Sequence, residues 1–216
     1  MIRQFSTIDL LFLLAALRWT VLLTLAAFVG GSIIGLIVAV MRVSNFWILR
    51  ALAVCYIQLI QGTPLLVLLF VLFFGLPIFG LPVLPWIAAG VAFSVYAGAF
   101  LGEIWRGALQ SIPKTQWEAG GSLGLGYLQQ LRYVIIPQAI RVAIPPTIGF
   151  IVQLIKNTSL AATIGFVELT REGQLTTAST FQPFTVYMVV ALLYFLMCFP
   201  LTQWSRVLER RLNVAG

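Results

Sequence analysis

The sequence predicts an all-helical integral membrane protein with about five transmembrane helices, and three observations lead to this prediction. Hydrophobic residues make up 61% of the 216 residues and charged residues only 9%, against about 45–50% and about 25% in typical soluble domains. A chain of this length cannot bury so much apolar surface internally, so the surplus faces lipid. Long uncharged stretches, such as residues 51–102, supply the transmembrane segments of one domain that covers residues 1–216.

The uncharged stretches define five predicted spans. Residues 19–41 carry no charge, and at about 1.5 Å per residue they can cross a hydrocarbon core of about 30 Å. Residues 51–102 hold two helices, because the glycines and prolines between Gly75 and Pro85 break helical periodicity. The residues before Trp19 are predicted to be an uncleaved interfacial segment, near 8–17. We place the spans near 19–41, 59–77, 84–105, 142–165 and 185–204.

The basic residues predict the orientation of these spans. With the N-terminus outside and the C-terminus cytoplasmic, nine basic residues fall on the cytoplasmic side and three outside, as the positive-inside rule requires. The net charge of +7 therefore marks cytoplasmic loops and anionic headgroups rather than a nucleic-acid partner. The cytoplasmic set is Arg42, Arg50, Arg106, Lys114, Arg132, Arg141, Arg206, Arg210 and Arg211; the outer set is Arg3, Arg18 and Arg171.

Residues 107–141 form one long polar stretch, on the predicted cytoplasmic side. Thr115 and Glu118 have capping-box spacing, so we expect a helix to begin at Thr115. Four glycines between 120 and 126 should end it in a tight bend. A second helix is predicted from about Tyr127 to Val134, ending before Pro137. A structured loop of this length indicates a docking surface; the alternative is an ordinary connection between spans.

This loop resembles a known pattern. The residues Glu118-Ala119-Gly120, Gly124, Val134, Ile136 and Pro137 follow the spacing of the EAA loop in permease subunits of bacterial ABC importers, which reads E-A-A, three residues, Gly, nine residues, I-x-L-P. Gly120 stands for the second Ala, Val134 for Ile and Ile136 for Leu. Further segments, in the order of the polar amino acid uptake group, are Gly62-Thr63-Pro64-Leu65-Leu66, Glu103-Ile104-Trp105-Arg106-Gly107, Gln116-Trp117-Glu118-Ala119, Pro137-Gln138-Ala139 and Lys156-Asn157-Thr158-Ser159-Leu160.

The resemblance implies a type I ABC importer-like fold in the inner membrane of a bacterial cell. Its 107–141 loop would be a coupling helix inserted into a groove of an ATP-hydrolysing subunit. Glu118 would make polar contacts there, and Ala119 and Gly124 would permit close approach. The implied partners are two ATPase subunits, a second permease chain (identical or paralogous) and an extracytoplasmic solute-binding protein that delivers a polar amino acid. The implied coupling residues are Thr115, Gln116, Glu118, Ala119, Gly120, Gly124 and Pro137.

Polar residues inside the predicted spans are candidates for a translocation path, because ionisable groups are costly in lipid. Gln153, Lys156 and Asn157 share one helix face. They are interpreted either as path residues or as interhelical hydrogen-bonding groups. Lys156 could pair with Glu103 as a gate or to fix two helices, whereas Glu103 could instead pair with Arg106 three residues on. The candidate path set is Gln153, Lys156, Asn157, Thr158, Ser159, Glu103 and Thr63.

Three further segments carry structural predictions. Pro64, preceded by Gly62-Thr63, should start or kink its helix, either to open backbone groups towards a cavity or as a packing kink. Gly31 and Gly35 have the spacing of a close helix–helix contact. Residues 168–181 form a polar outer segment, interpreted as a contact for a binding protein or as a solvated loop.

The composition also excludes several function classes. The chain has no His, and its two Cys lie far apart in apolar stretches, which argues against a metal centre and against Cys/His catalysis. No G-x-x-x-x-G-K-[ST] sequence occurs, so we expect no cofactor on this chain, and ATP and Mg on the partner ATPase. The alternatives to a permease are a self-sufficient secondary transporter or channel, which needs repeat symmetry or a charge relay, and an enzyme, which needs a catalytic constellation.

Overall fold

The computed structural model describes residues 4–213, and over this range the chain folds into eight helical segments. Arg3, which the charge analysis assigns to the outer side, lies outside the described residues. Two segments combine several helix types: α3 passes from α-helix through a π turn to a 3₁₀ turn, and α6 contains a π turn at Leu131–Ile135. The helices are α1 (Thr7–Val43), α2 (Trp47–Gln61), α3 (Leu65–Phe79), α4 (Pro85–Gln110), α5 (Lys114–Ser122), α6 (Tyr127–Ile164), α7 (Leu169–Thr180) and α8 (Pro183–Asn213).

The all-helical membrane class is confirmed. Within the described residues, α1, α4, α6 and α8 are long and apolar enough to cross a membrane, and α2 with α3 makes a fifth span if the bent pair is counted as one. The axes of α2 and α3 differ by 99°. α2 ends at Gln61, where Gly62 forms the C-cap, and α3 begins after Pro64. Pro64 therefore starts a helix, and the predicted second span at 59–77 joins parts of two different helices.

α1 is one continuous helix of 37 residues, so residues 8–17 are not a separate segment as the sequence analysis expected. Asp9 explains this early start, because its Oδ2 accepts hydrogen bonds from the backbone N–H of Ser6 at 2.8 Å and from the hydroxyl of Ser6 at 2.9 Å. Such a capping box satisfies the free N–H groups of the first turn. The predicted first span, 19–41, is therefore the C-terminal part of a longer helix.

The predicted close contact at Gly31 and Gly35 is confirmed. A Cβ at Gly35 would lie 3.0 Å from the Cβ of Leu101, and a Cβ at Gly31 would collide with Ala97. The contact is reciprocal, because a Cβ at Gly102 would lie 2.8 Å from a methyl group of Val38. The small residues thus allow the backbones of α1 and α4 to approach closely along much of their length.

The predicted stop before Pro137 is wrong, because α6 runs from Tyr127 through Pro137 to Ile164. The π turn Leu131–Ile135 precedes Pro137, which occupies the first turn of the following α-helical section. The N–H of Ile136 donates to the Leu131 carbonyl, so the π turn continues the helix up to Pro137, which has no N–H of its own to donate. The predicted fourth span, 142–165, is consequently the second half of a helix that starts in the polar loop. The last helix, α8, likewise extends beyond the predicted 185–204 at both ends.

Candidate coupling and translocation sites

The first candidate site is the short helix α5, which follows α4 after only three residues. Its N-cap is Pro113, and the backbone N–H of Gln116 donates to the Pro113 carbonyl at 3.0 Å. The helix begins at Lys114, so the capping box predicted at Thr115 is wrong: Pro113 already has the backbone angles of an N-cap. Thr115 lies exposed within the first turn.

The glycine corner after α5 has the geometry of a Schellman motif. The N–H of Leu125 donates to the Gly120 carbonyl at 3.1 Å, and the N–H of Gly124 donates to the Gly121 carbonyl at 2.9 Å. Gly124 has φ +75°, in the left-handed region, which glycine adopts at the least cost. The requirement for glycine at position 124 is thus the backbone turn itself. Gly120 and Gly121 remain inside the helix rather than ending it.

The inward side of α5 packs on the start of α6. Gly120 is buried, and a Cβ there would lie 2.9 Å from the Cγ of Gln130, so glycine allows this contact. The side chain of Gln138 donates to the Gln116 Oε1 at 3.2 Å, and the rings of Trp117 and Tyr127 stack with centroids 5.6 Å apart. The polar loop is therefore a packed unit. Pro137 lies exposed on its α6 side.

The outward side of α5 and its corner has few partners within the described residues. Glu118, Ala119 and Gly124 are exposed, and Leu123 has 79% of its surface exposed. The coupling residues predicted from the sequence therefore divide into two groups. Gln116 and Gly120 hold the corner together, whereas Thr115, Glu118 and Ala119 remain available to a partner.

The second candidate site is the polar stretch near the end of α6. Gln153 and Lys156 are exposed, and Asn157 and Ser159 are half-buried. Thr158 is fully buried, and its hydroxyl donates to the Ile155 carbonyl at 2.7 Å. The other four residues form an accessible polar segment, but they do not share one face: Lys156 lies beside α8, whereas Asn157 is hydrogen-bonded to Tyr96 of α4. Thr158 belongs to the packed interior.

Two of the predicted path residues lie elsewhere. Glu103 accepts from the Arg42 Nε at 3.0 Å and from the Arg106 Nη2 at 2.7 Å, so the predicted Lys156–Glu103 pair is wrong and the Glu103–Arg106 pair is confirmed. Thr63 lies in the break between α2 and α3, and its hydroxyl donates to the Leu59 carbonyl at 2.7 Å. The residues predicted to line the path thus lie in three separate places rather than in one site.

A buried carboxylate just before α7 was not predicted from the sequence. Glu168 is fully buried and caps α7, accepting from the Arg171 backbone N–H at 2.9 Å. The Tyr194 hydroxyl donates to it at 2.8 Å and the Thr20 hydroxyl at 3.4 Å. Burial raises the pKa of the Glu168 carboxyl above its ordinary value, against the opposing effect of these donors. The predicted solvated outer loop is therefore a docked helix joined to α1 and α8.

The same rule that marked Lys156 could have marked Glu168, since both are ionisable groups beside apolar stretches. Its partners Thr20 and Tyr194 are 148 and 26 residues away in the chain. No local pattern predicts such contacts.

Comparison with known proteins identifies the family. The family model for the binding-protein-dependent transport system inner membrane component matches residues 31–214. The chain belongs to this family. It is a membrane-embedded transport component, and the family is not that of a catalytic subunit.

Several permeases are similar to this chain over most of its length. The L-cystine transport system permease protein TcyB of Bacillus subtilis is 41% identical and covers 90% of this chain and 84% of its own. The glutamine transport system permease protein GlnP of Escherichia coli is 36% identical, with 94% and 93% covered. A crystal structure of an amino acid ABC transporter with histidines superposes with a TM-score of 0.89 at 31% identity, over 97% of this chain and 100% of that one.

Proposed function

We propose that this chain forms part of the translocation path of an ATP-driven importer for a polar amino acid. The relatives named for L-cystine and glutamine transport support the substrate class. The observation that carries the proposal is the α5 corner, a packed projection in which Thr115, Glu118 and Ala119 remain exposed within residues 4–213. A self-supporting projection of this kind is what a separate ATPase subunit would need in order to move the permease.

In this proposal two ATPase subunits bind the α5 corners of two permease chains, which are identical or paralogous. ATP and Mg bind the ATPase subunits, and this chain binds no cofactor. The N-terminus lies outside and the C-terminus in the cytoplasm of a bacterial cell with this chain in its inner membrane. A solute-binding protein delivers the amino acid at the outer side, near α7. A movement of the α5 corner would pass to α4, because only three residues separate the two helices.

The polar segment of Gln153, Lys156, Asn157 and Ser159 is proposed to contribute to the path. These side chains are at least partly accessible in a segment where an exposed polar group would otherwise face lipid. Lys156 makes no ion pair within the described residues, so its charge favours acidic or neutral substrates. Thr63 is proposed to line the path at the break of the α2–α3 pair, because interrupted helices border the cavities of other transporters. Glu103 is proposed to join α4 to α1 through Arg42. Thr158 is proposed to hold the polar segment in place from its buried side.

The coupling role is tested with two pairs of variants in the complete transporter reconstituted in liposomes. Gly124→Ala places a Cβ at a left-handed position, whereas Gly90→Ala adds the same group in open space within α4 at an ordinary φ. Glu118→Lys reverses an exposed charge on α5, and Glu209→Lys reverses an exposed charge on α8. We expect Gly124→Ala and Glu118→Lys to reach the membrane at normal levels but to uncouple ATP hydrolysis from uptake.

Unchanged uptake per ATP in both loop variants would overturn the coupling role. Uptake by this chain without an ATPase subunit would instead indicate a self-sufficient transporter.

A further inference from the structure

We propose that the groove along α2 binds one anionic phospholipid, with its headgroup at the cytoplasmic end. This groove is shallow and open: it follows one face of α2 from Trp47 to Leu59, and Arg42 of α1 lines its end. Arg42 and Arg50 lie at one end of it, and the opposite end reaches Gln58. The two ends thus differ in chemistry, as the two ends of a lipid do.

The charge at the cytoplasmic end is uncompensated. Arg42 shares the single carboxylate of Glu103 with Arg106, so these three side chains carry a net positive charge. Arg50 is exposed and makes no ion pair within residues 4–213. α2 also begins at Trp47, and a helix N-terminus adds partial positive charge. Basic pockets between transmembrane helices on the cytoplasmic side attract anionic headgroups.

The remainder of the groove is predominantly apolar. Its wall consists of Trp47, Ala51, Val54, Cys55 and Leu59, with Gln58 as the polar exception beyond the two arginines. Trp47 has 72% of its surface exposed, as expected of an aromatic anchor at a membrane interface. A transported polar amino acid would gain nothing from this apolar length, whereas an acyl chain would fill it. The occupant that fits both ends is an anionic phospholipid.

The placement of the headgroup on the cytoplasmic side rests on the topology given under the proposed function. The inference does not depend on which substrate is transported. Its test measures lipid binding directly, so failure of transport and failure of lipid binding are distinguishable. The purified transporter in detergent is titrated with phosphatidylglycerol and, separately, with phosphatidylcholine of the same acyl chains, and bound lipids are counted by native mass spectrometry. Inorganic phosphate is the third ligand, because it carries the anionic chemistry without the chains.

The variants are matched for charge. Arg50→Gln removes the unpaired charge in the groove, and Arg141→Gln removes an exposed charge outside it. We expect Arg50→Gln to weaken phosphatidylglycerol binding roughly fivefold, the change that about 1 kcal/mol per basic residue gives. Arg141→Gln should bind as the unmodified protein does. Neither inorganic phosphate nor phosphatidylcholine should compete with phosphatidylglycerol at equal concentration.

A second measurement locates the lipid. Phosphatidylglycerol with a photoreactive acyl chain should crosslink to the peptide that contains residues 47–59, and Val54→Trp, which fills the groove, should reduce this product. Equal binding of phosphatidylglycerol by Arg50→Gln and Arg141→Gln would overturn the proposal. So would crosslinks confined to other helices, or crosslinks between two copies of the 47–59 segment, which would assign the groove to a second chain.

Discussion

Glu103 and Glu168 are glutamates at opposite ends of the membrane domain, and they are stabilised in different ways. Glu103 is partly accessible, with 24% of its side chain exposed, and two arginines pair with it. Glu168 is fully buried, makes no ion pair within residues 4–213, and is held by two hydroxyls and a backbone N–H. A partly hydrated ion pair contributes little free energy, whereas a buried acceptor is costly to leave unpaired. The Glu168 hydrogen-bond network should therefore matter more for stability than the Glu103 ion cluster.

The largest effect is expected for Glu168→Ala. The change leaves the hydroxyl of Tyr194 and the backbone N–H of Arg171 without their acceptor in a buried place, and should cost about 2–4 kcal/mol of stability. Thermal unfolding of the purified protein in detergent measures this loss. Glu168→Gln is the control, because its amide oxygen can still accept from the Arg171 N–H while the hydroxyls rotate to accept from its NH₂. An equal loss in both variants would contradict the hydrogen-bond explanation.

A smaller effect is expected from pH. Since burial raises the pKa of Glu168 in the folded state, the folded chain binds this proton more tightly than the unfolded chain does. The contribution of this proton to the free energy of unfolding is fully present below pH 4.5, the ordinary pKa of a glutamate carboxyl. It is lost as the pH rises through the raised pKa of the folded state. Burial and the charge of Asp9 raise the pKa of Glu172 in the same direction. Melting temperatures from pH 4.5 upward should therefore fall less steeply in Glu168→Gln, and identical slopes would contradict this assignment.

The smallest effect is expected for Glu103→Gln. It removes the charge that joins Arg42 to Arg106, and because the cluster is partly hydrated the loss of stability should be about 1 kcal/mol or less. Arg42→Gln is the matched variant from α1. If the two losses in a double-mutant cycle simply add, Arg42 and Glu103 are energetically independent, and the proposed attachment of α1 to α4 through this pair is wrong.

The parts of the fold that were predictable depend on local periodicity and composition. Uncharged stretches predicted the apolar helices, and the spacing of Gly31 and Gly35 predicted a close contact that the structure confirms. The bend after α5 was predictable because glycines cluster there, and Gly124 does adopt a left-handed φ. These signals lie within a few residues of the feature that they determine.

The remainder depends on contacts between distant residues. Arg42 and Glu103 are 61 residues apart, so the sequence indicated Arg106 and Lys156 as possible partners of Glu103 but not Arg42. Pro137 has the local pattern of a helix end, but the π turn before it lets α6 continue. Thr158 shares a polar stretch with Asn157, yet Thr158 is buried and Asn157 only half-buried, a difference that no local pattern predicts.

The close contact at the glycines holds α1 and α4 together as one rigid unit. Closely fitted backbones resist sliding, and α4, with 26 residues, is about 39 Å long. The link from α4 to α5 is only three residues, so a movement of the α5 corner would pass to α4. A tilt of about 5° would displace the far end of a helix of this length by about 3 Å. Thr20 of α1 belongs to the same rigid unit, and its hydroxyl donates to Glu168, so α7 would receive a movement that begins at the opposite end of the membrane domain.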